Sequence, residues 1–180
     1  MKQIKFYGLG GQGVVTAAKI LAEAVAIKEK KYAQAIPAYG HERRGAAVYA
    51  DVILDEKPLL LKSFVYEPDY VVIFDLSVID KGINVMEGAT ADTIFIVNTS
   101  NLTPNSPFFN HRVYYIDASQ ISLDVIQRDI PNAAMLGAIA GAGLVGIESV
   151  KKTIEKTFGK AGASNAEAAQ QANNGLRVNY

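Results

Sequence analysis

Two hydrophobic rhythms alternate along this chain. Short runs at residues 4–7, 70–75, 93–98 and 113–117 are apolar on both faces, as strands buried between two layers are. Residues 14–28 repeat apolar positions at helical spacing, and further helices are expected at 122–129, 133–146, 149–158 and 166–173. Ser164 and Glu167 have capping-box spacing for the last of these. An extended segment at 32–36 stops at Pro37. Residues 46–54 alternate as a half-buried strand does, Asp55-Glu56-Lys57 reads as a turn, and 58–64 returns as a strand, which predicts an antiparallel hairpin. Residues 99–110, rich in Asn, Ser and Pro, read as loop. The expected fold is α/β: an open mixed, mostly parallel sheet with helices on both faces and one antiparallel hairpin, forming a single domain over 1–180.

The first strand-to-helix junction reads Gly8-Leu9-Gly10-Gly11-Gln12-Gly13. Glycines permit a tight turn and close approach of an anion to bare backbone, and the helix behind them offers free N–H groups and a positive dipole end. Gly8, Gly10 and Gly13 fit the G-x-G-x-x-G spacing of dinucleotide sites. The acid that would read a ribose about 20 residues further on is missing; that region is the neutral Ala33-Gln34-Ala35-Ile36-Pro37. P-loop spacing is also present, but Val14 and Val15 stand where Lys and Ser/Thr would hold nucleotide phosphate and Mg²⁺. The turn is either a ligand cradle or a packing turn set against a neighbouring loop or subunit.

Composition narrows the chemistry. With no cysteine the chain holds no thiolate nucleophile and no cysteine-ligated cluster, and His41 and His111 are too few for a protein zinc site. No G-x-S-x-G elbow supports serine hydrolysis. Eighteen basic residues cancel eighteen acidic ones, so no net field draws the chain to nucleic acid or membrane. The longest uncharged apolar stretch, 133–147, is too short to span a bilayer and is broken by glycines. The chain enters its first strand at once, leaving no room for a secretory signal, and the cytoplasm is the expected compartment.

Four local features invite a role. Between strands two and three lies Gly40-His41-Glu42-Arg43-Arg44-Gly45. It reads either as a solvated turn with an Arg–Glu pair worth at most about 1 kcal/mol, or as an anion or partner clamp built on arginine forks; His41 is given no role. Lys28-Glu29-Lys30-Lys31 reads as a solvated helix end, Asp75 as a helix cap, and Asn132 as the start of a helix whose small residues would admit another helix, from this chain or another subunit.

Four motifs in order carry a resemblance: GLGGQGVVTAAKILAEA, KYAQAIPAYGHERRGAAV, PDYVVIFD and PNAAMLGA. Together they resemble the gamma subunit of 2-oxoacid:ferredoxin oxidoreductases over most of residues 4–147, and the segment from Ala35 to Gly45 is most similar to the pyruvate branch. His41 departs from the proline often found in that loop. The resemblance implies a complex in which thiamine diphosphate with Mg²⁺ lies between alpha and beta subunits and a delta subunit carries [4Fe–4S] clusters. Such a complex converts a 2-oxoacid and coenzyme A to acyl-CoA and CO₂ and reduces ferredoxin. This chain is then expected to hold no cofactor alone, to complete the complex and to help cover the coenzyme A site. Gly8, Gly10, Gly11, Gln12, Gly13, Arg43 and Arg44 are the candidate contacts to coenzyme A or to a neighbouring subunit. Coenzyme A carries phosphates but no nicotinamide ribose, which suits a glycine turn lacking an acid. The alternative is a free-standing protein that binds a flavin or nicotinamide nucleotide at the same turn.

Overall fold

In the computed structural model, which describes residues 1–38, 44–60 and 62–180, seven strands form one sheet in the order β2-β3-β1-β4-β5-β6-β7. They are β1 (Lys2–Leu9), β2 (Tyr32–Pro37), β3 (Ala47–Asp55), β4 (Tyr70–Ile73), β5 (Ile94–Asn98), β6 (Val113–Ile116) and β7 (Arg177–Asn179). The centre, β1-β4-β5-β6, is parallel throughout. β3 runs against both β1 and β2, and β7 runs against β6. β1, β2, β4, β5 and β6 therefore point one way and only β3 and β7 the other, a mixed and mostly parallel α/β sheet.

Strand periodicity divides the core in two. Ile4, Phe6, Val52, Val72 and Ile96 face a large cluster with α1 (Val14–Glu23), α4 (Asn132–Gly141), α5 (Ile147–Phe158) and α6 (Gly162–Gly175), and Ala118 of α3 (Ala118–Ile126) joins the same cluster. Tyr7, Val71, Ile73, Phe95 and Val97 face the opposite side, covered by the one-turn α2 (Ser77–Asp80) and irregular chain. Both faces carry helix, but very unequally.

The hairpin between 46–54 and 58–64 does not form. β3 already has β1 on one edge and β2 on the other, so no backbone edge is left for a returning strand. The described part of 58–64 is irregular. The capping box also fails. The chain enters α6 through a 3₁₀ turn at Gly159–Ala161, which puts Ser164 inside the helix, where its hydroxyl donates to Ala161 O at 3.1 Å. α3 begins at Ala118 rather than 122, because the Asp117 carboxylate accepts from Gln120 N–H at 2.9 Å and caps it. α4 ends at Gly141, before Gly143 turns left-handed at φ 86°. The first helix does reach Lys28, but its last turn, Ala24–Lys28, widens to π geometry. Strand β7 and helix α2 had no legible signal.

Candidate functional site

The glycine turn joins β1 to α1 at the carboxyl edge of the parallel strands, where open α/β sheets bind ligands. Gly11 and Gly13 have φ of 95° and 74°, conformations that only glycine adopts cheaply. Gly8 is needed for another reason: a Cβ there would stand 2.5 Å from Val14 Cγ2 and 2.9 Å from Phe74 Cβ, so its absence lets α1 close on β1. A Cβ on Gly13 would overlap the Asn132 side-chain amide, which brings the start of α4 against the start of α1. No side chain caps α1, so its first-turn N–H groups stay available at the turn.

Gln12 braces the turn instead of lining it. Its Oε1 accepts from Leu9 N–H at 2.8 Å and its Nε2 donates to Asp75 Oδ2 at 2.7 Å. Asp75 also accepts from Ser77 N–H at 2.9 Å, but it lies one residue before Leu76, which is the N-cap of α2, so it is not the cap itself. Burial pushes Asp75 up, but the bonds from Ser77 and Gln12 and the charge of Lys81 outweigh it, leaving its pKa below the ordinary aspartate value. Gln12 thus locks the tips of β1 and β4 to one another, a coupling without a sequence signature.

Gly10 carries the β1–β3 ladder one step further: its N–H donates to Ala46 O at 2.8 Å and its carbonyl accepts from Gly45 N–H at 3.1 Å. This pairing brings Arg44 to the turn, with its Cγ 3.6 Å from where a Cβ on Gly11 would sit. An open cavity of about 530 Å³ lies there, lined by Gly10, Gly11, Gly13, Val14, Thr16 and Arg44 among others. Asp129 supplies a carboxylate to the same lining and was not legible in the sequence. The structure therefore unites the glycines with Arg44, whereas Arg43 and His41 lie outside the described residues.

The nucleotide-fold alternative loses its geometry. In a dinucleotide site the acid sits at the end of the parallel strand that flanks β1 on the side away from β4. Here the neighbour on that side is antiparallel β3, and β2 lies a further strand away, about 10 Å from β1.

Residues 3–174 match the family model described as pyruvate ferredoxin/flavodoxin oxidoreductase. The chain belongs to this oxidoreductase family. It is 46% identical to pyruvate synthase subunit PorC of Methanocaldococcus jannaschii, covering 100% of this chain and 99% of that one. Against the pyruvate/ketoisovalerate oxidoreductases common subunit gamma of Pyrococcus abyssi the identity is also 46%, over 96% of this chain and 95% of the other. The crystal structure of pyruvate oxidoreductase subunit PORC from Thermotoga maritima superposes with a TM-score of 0.86 at 32% identity, covering 99% and 98% of the two chains. The chain is thus a gamma-type subunit of a multisubunit pyruvate:ferredoxin oxidoreductase family. The residues of this gamma-type chain do not fit an iron–sulfur cluster: it has no cysteine, and among the described residues no group of His, Asp or Glu is placed to hold a metal. Among the described residues no helix is long and apolar enough to cross a membrane.

Proposed function

We propose that this gamma-type chain completes a cytoplasmic pyruvate:ferredoxin oxidoreductase and supplies part of its coenzyme A site. In this reading thiamine diphosphate with Mg²⁺ lies between alpha and beta subunits, and [4Fe–4S] clusters on a delta subunit pass electrons to ferredoxin. The carrying observation is the cavity in which uncapped α1 amides, left-handed glycines and Arg44 converge. That donor set suits a phosphate: the amides supply bonds along the helix dipole, and the guanidinium supplies a charged fork. Gly11 and Gly13 leave the approach bare, and Gln12 holds the turn through Leu9 and Asp75 without spending a donor on the ligand. Asp129 sets a limit, since a single carboxylate in the lining favours an anion lodged at the Arg44 side of the cavity. The chain's own part is binding and orientation; bond breaking belongs to groups on the partner subunits.

Arg44 gives the direct test. Deleting a charge-assisted bond to phosphate costs about 1.5–3 kcal/mol. The intact complex carrying Arg44→Ala is therefore expected to show an apparent KM for coenzyme A raised about 10- to 150-fold, with the KM for pyruvate nearly unchanged. Arg43→Ala, tested beside it, extends the same question to a residue outside the described ones. A fall in activity for both substrates together with loss of complex mass by light scattering would instead make the arginines a subunit clamp. Unchanged coenzyme A kinetics in both variants would overturn the phosphate reading.

A further inference from the structure

β1 and β3 carry a second patch of chemistry on the face turned away from the main helix layer. Their register sets Lys5 opposite Asp51 and Tyr7 opposite Tyr49. Alternate residues of paired strands share a face, so these four side chains form one block. The block borders a cavity of about 440 Å³ that is also lined by Phe64, Tyr66 and Glu87.

Two members of the block are already committed. Lys5 Nζ donates to Val65 O at 2.9 Å, and Asp51 Oδ2 accepts from Val65 N–H at 2.8 Å, so the pair holds the backbone of one residue at both its N–H and its carbonyl. Tyr7 is not committed. It is 2% exposed and stands edge-on to Tyr49 at 5.6 Å, and its hydroxyl has no hydrogen-bond partner among the described residues. An unpaired buried hydroxyl costs about 1–3 kcal/mol. Phenylalanine would fill the same space without that cost.

The charge around this hydroxyl is unbalanced. Among the described residues of the lining, Asp51 and Glu87 face one ammonium, that of Lys5. Burial, then the charges of Glu87 and Asp51 and the neighbouring Tyr49, push the Tyr7 phenol far above the ordinary tyrosine range; burial and Glu87 raise Tyr49 as well. Such a field repels anions and attracts cations. In the lining, Phe64 is 53% and Tyr66 73% exposed.

We propose that this cavity is a subunit-docking site that receives a lysine or arginine side chain from a partner subunit. The cationic head sits against Glu87 and, once the exposed rim side chains part, reaches the Tyr7 oxygen that is closed to solvent in the free chain, while its aliphatic stem crosses Phe64 and Tyr66. A free amine would leave those aromatic side chains in water. A protein surface buries them around the charge pair, the arrangement that makes interface hot spots. The proposal rests on the chain working as a subunit but not on where coenzyme A binds.

The test reads the association of the full chain with its partner subunits, not the coenzyme A KM, so its failure is separable from failure of the phosphate reading. Tyr7→Phe is expected to leave thermal unfolding of the chain unchanged or raised, while weakening association about 10-fold. Glu87→Gln is expected to weaken association about 10- to 100-fold and to flatten its salt dependence. Association as in the wild type for both variants overturns the proposal. So does spermidine binding to the full chain in a Glu87-dependent way while assembly is untouched, which would assign the cavity to a free amine.

Discussion

Three glycines of one turn are glycine for three different reasons. Gly8 makes room for Val14 and Phe74, Gly11 supplies φ 95° beside Arg44, and Gly13 combines φ 74° with direct contact on Asn132. Spacing alone treats them as equivalent, because a Cβ clash with α4 depends on a residue more than a hundred positions away in the chain. Gly13→Ala is therefore expected to cost about 1–2 kcal/mol in left-handed strain and a further 1–3 kcal/mol in overlap with the Asn132 amide. Asn132→Ala removes the overlap with the amide, leaving the 3.0 Å approach to its own Cβ and the backbone strain. In a double-mutant cycle by chemical denaturation, the pair should cost less than the sum of the single changes by about 1–2 kcal/mol. Strict additivity would mean that the contact carries no energy and that the turn needs Gly13 for its backbone alone.

At the scale of elements, α4 is the least ambiguous case. From Asn132 to Ala140 every residue is buried, so the helix has no polar face for solvent. Its small residues accept α6 of the same chain, not a helix of another subunit: a Cβ on Gly137 would fall on the Ala169 carbonyl oxygen and 2.7 Å from Ala169 Cα. Gly137→Ala should consequently lower the stability of the chain on its own by about 1–3 kcal/mol, read from its denaturation midpoint. A midpoint equal to the wild type's would show that α4 and α6 are not in backbone contact there. The central strands were legible because burial on both faces writes itself into a continuous apolar run, as in Tyr70–Ile73. The hairpin was misread because alternation reports a strand but not which edges are already taken, and β3 is enclosed by β1 and β2. Similarly, the charged run after α1 reads as a solvated end, yet the Glu29 carboxylate accepts from Gly146 N–H at 2.6 Å and serves the start of α5. At the site, the glycines and Arg44 were legible as two separate motifs. The Gln12–Asp75 bond, the contact of Asn132 with Gly13 and the place of Asp129 became visible only once the fold brought them together.

Across the whole molecule, the sheet builds a phosphate-type turn, and among the described residues three kinds of group are not placed beside it. Redox chemistry on a 2-oxoacid needs an electron sink, and this chain has no cysteine to ligate a cluster. Reading a nucleotide ribose needs an acid on the strand that flanks β1 on the side away from β4, and that place is occupied by an antiparallel strand whose partner register is set by Gly8↔Val48 and Leu9↔Ala47. Tuned acid–base catalysis needs a titrating pair in the cavity, and among the described residues the charged groups in the lining of the glycine-turn cavity are Arg44 and Asp129. The isolated chain is therefore expected to show no iron–sulfur absorbance and no pyruvate-dependent reduction of a dye, and to leave the fluorescence of added NADH unchanged. Adding the partner subunits should restore pyruvate- and coenzyme A-dependent reduction, with turnover rising in proportion to the amount of this chain until the complex is saturated. Turnover by the chain alone would place a reactive centre in it and overturn its role as a binding subunit. Partner subunits that reach full coenzyme A-dependent turnover without it would leave the glycine turn no part in the reaction.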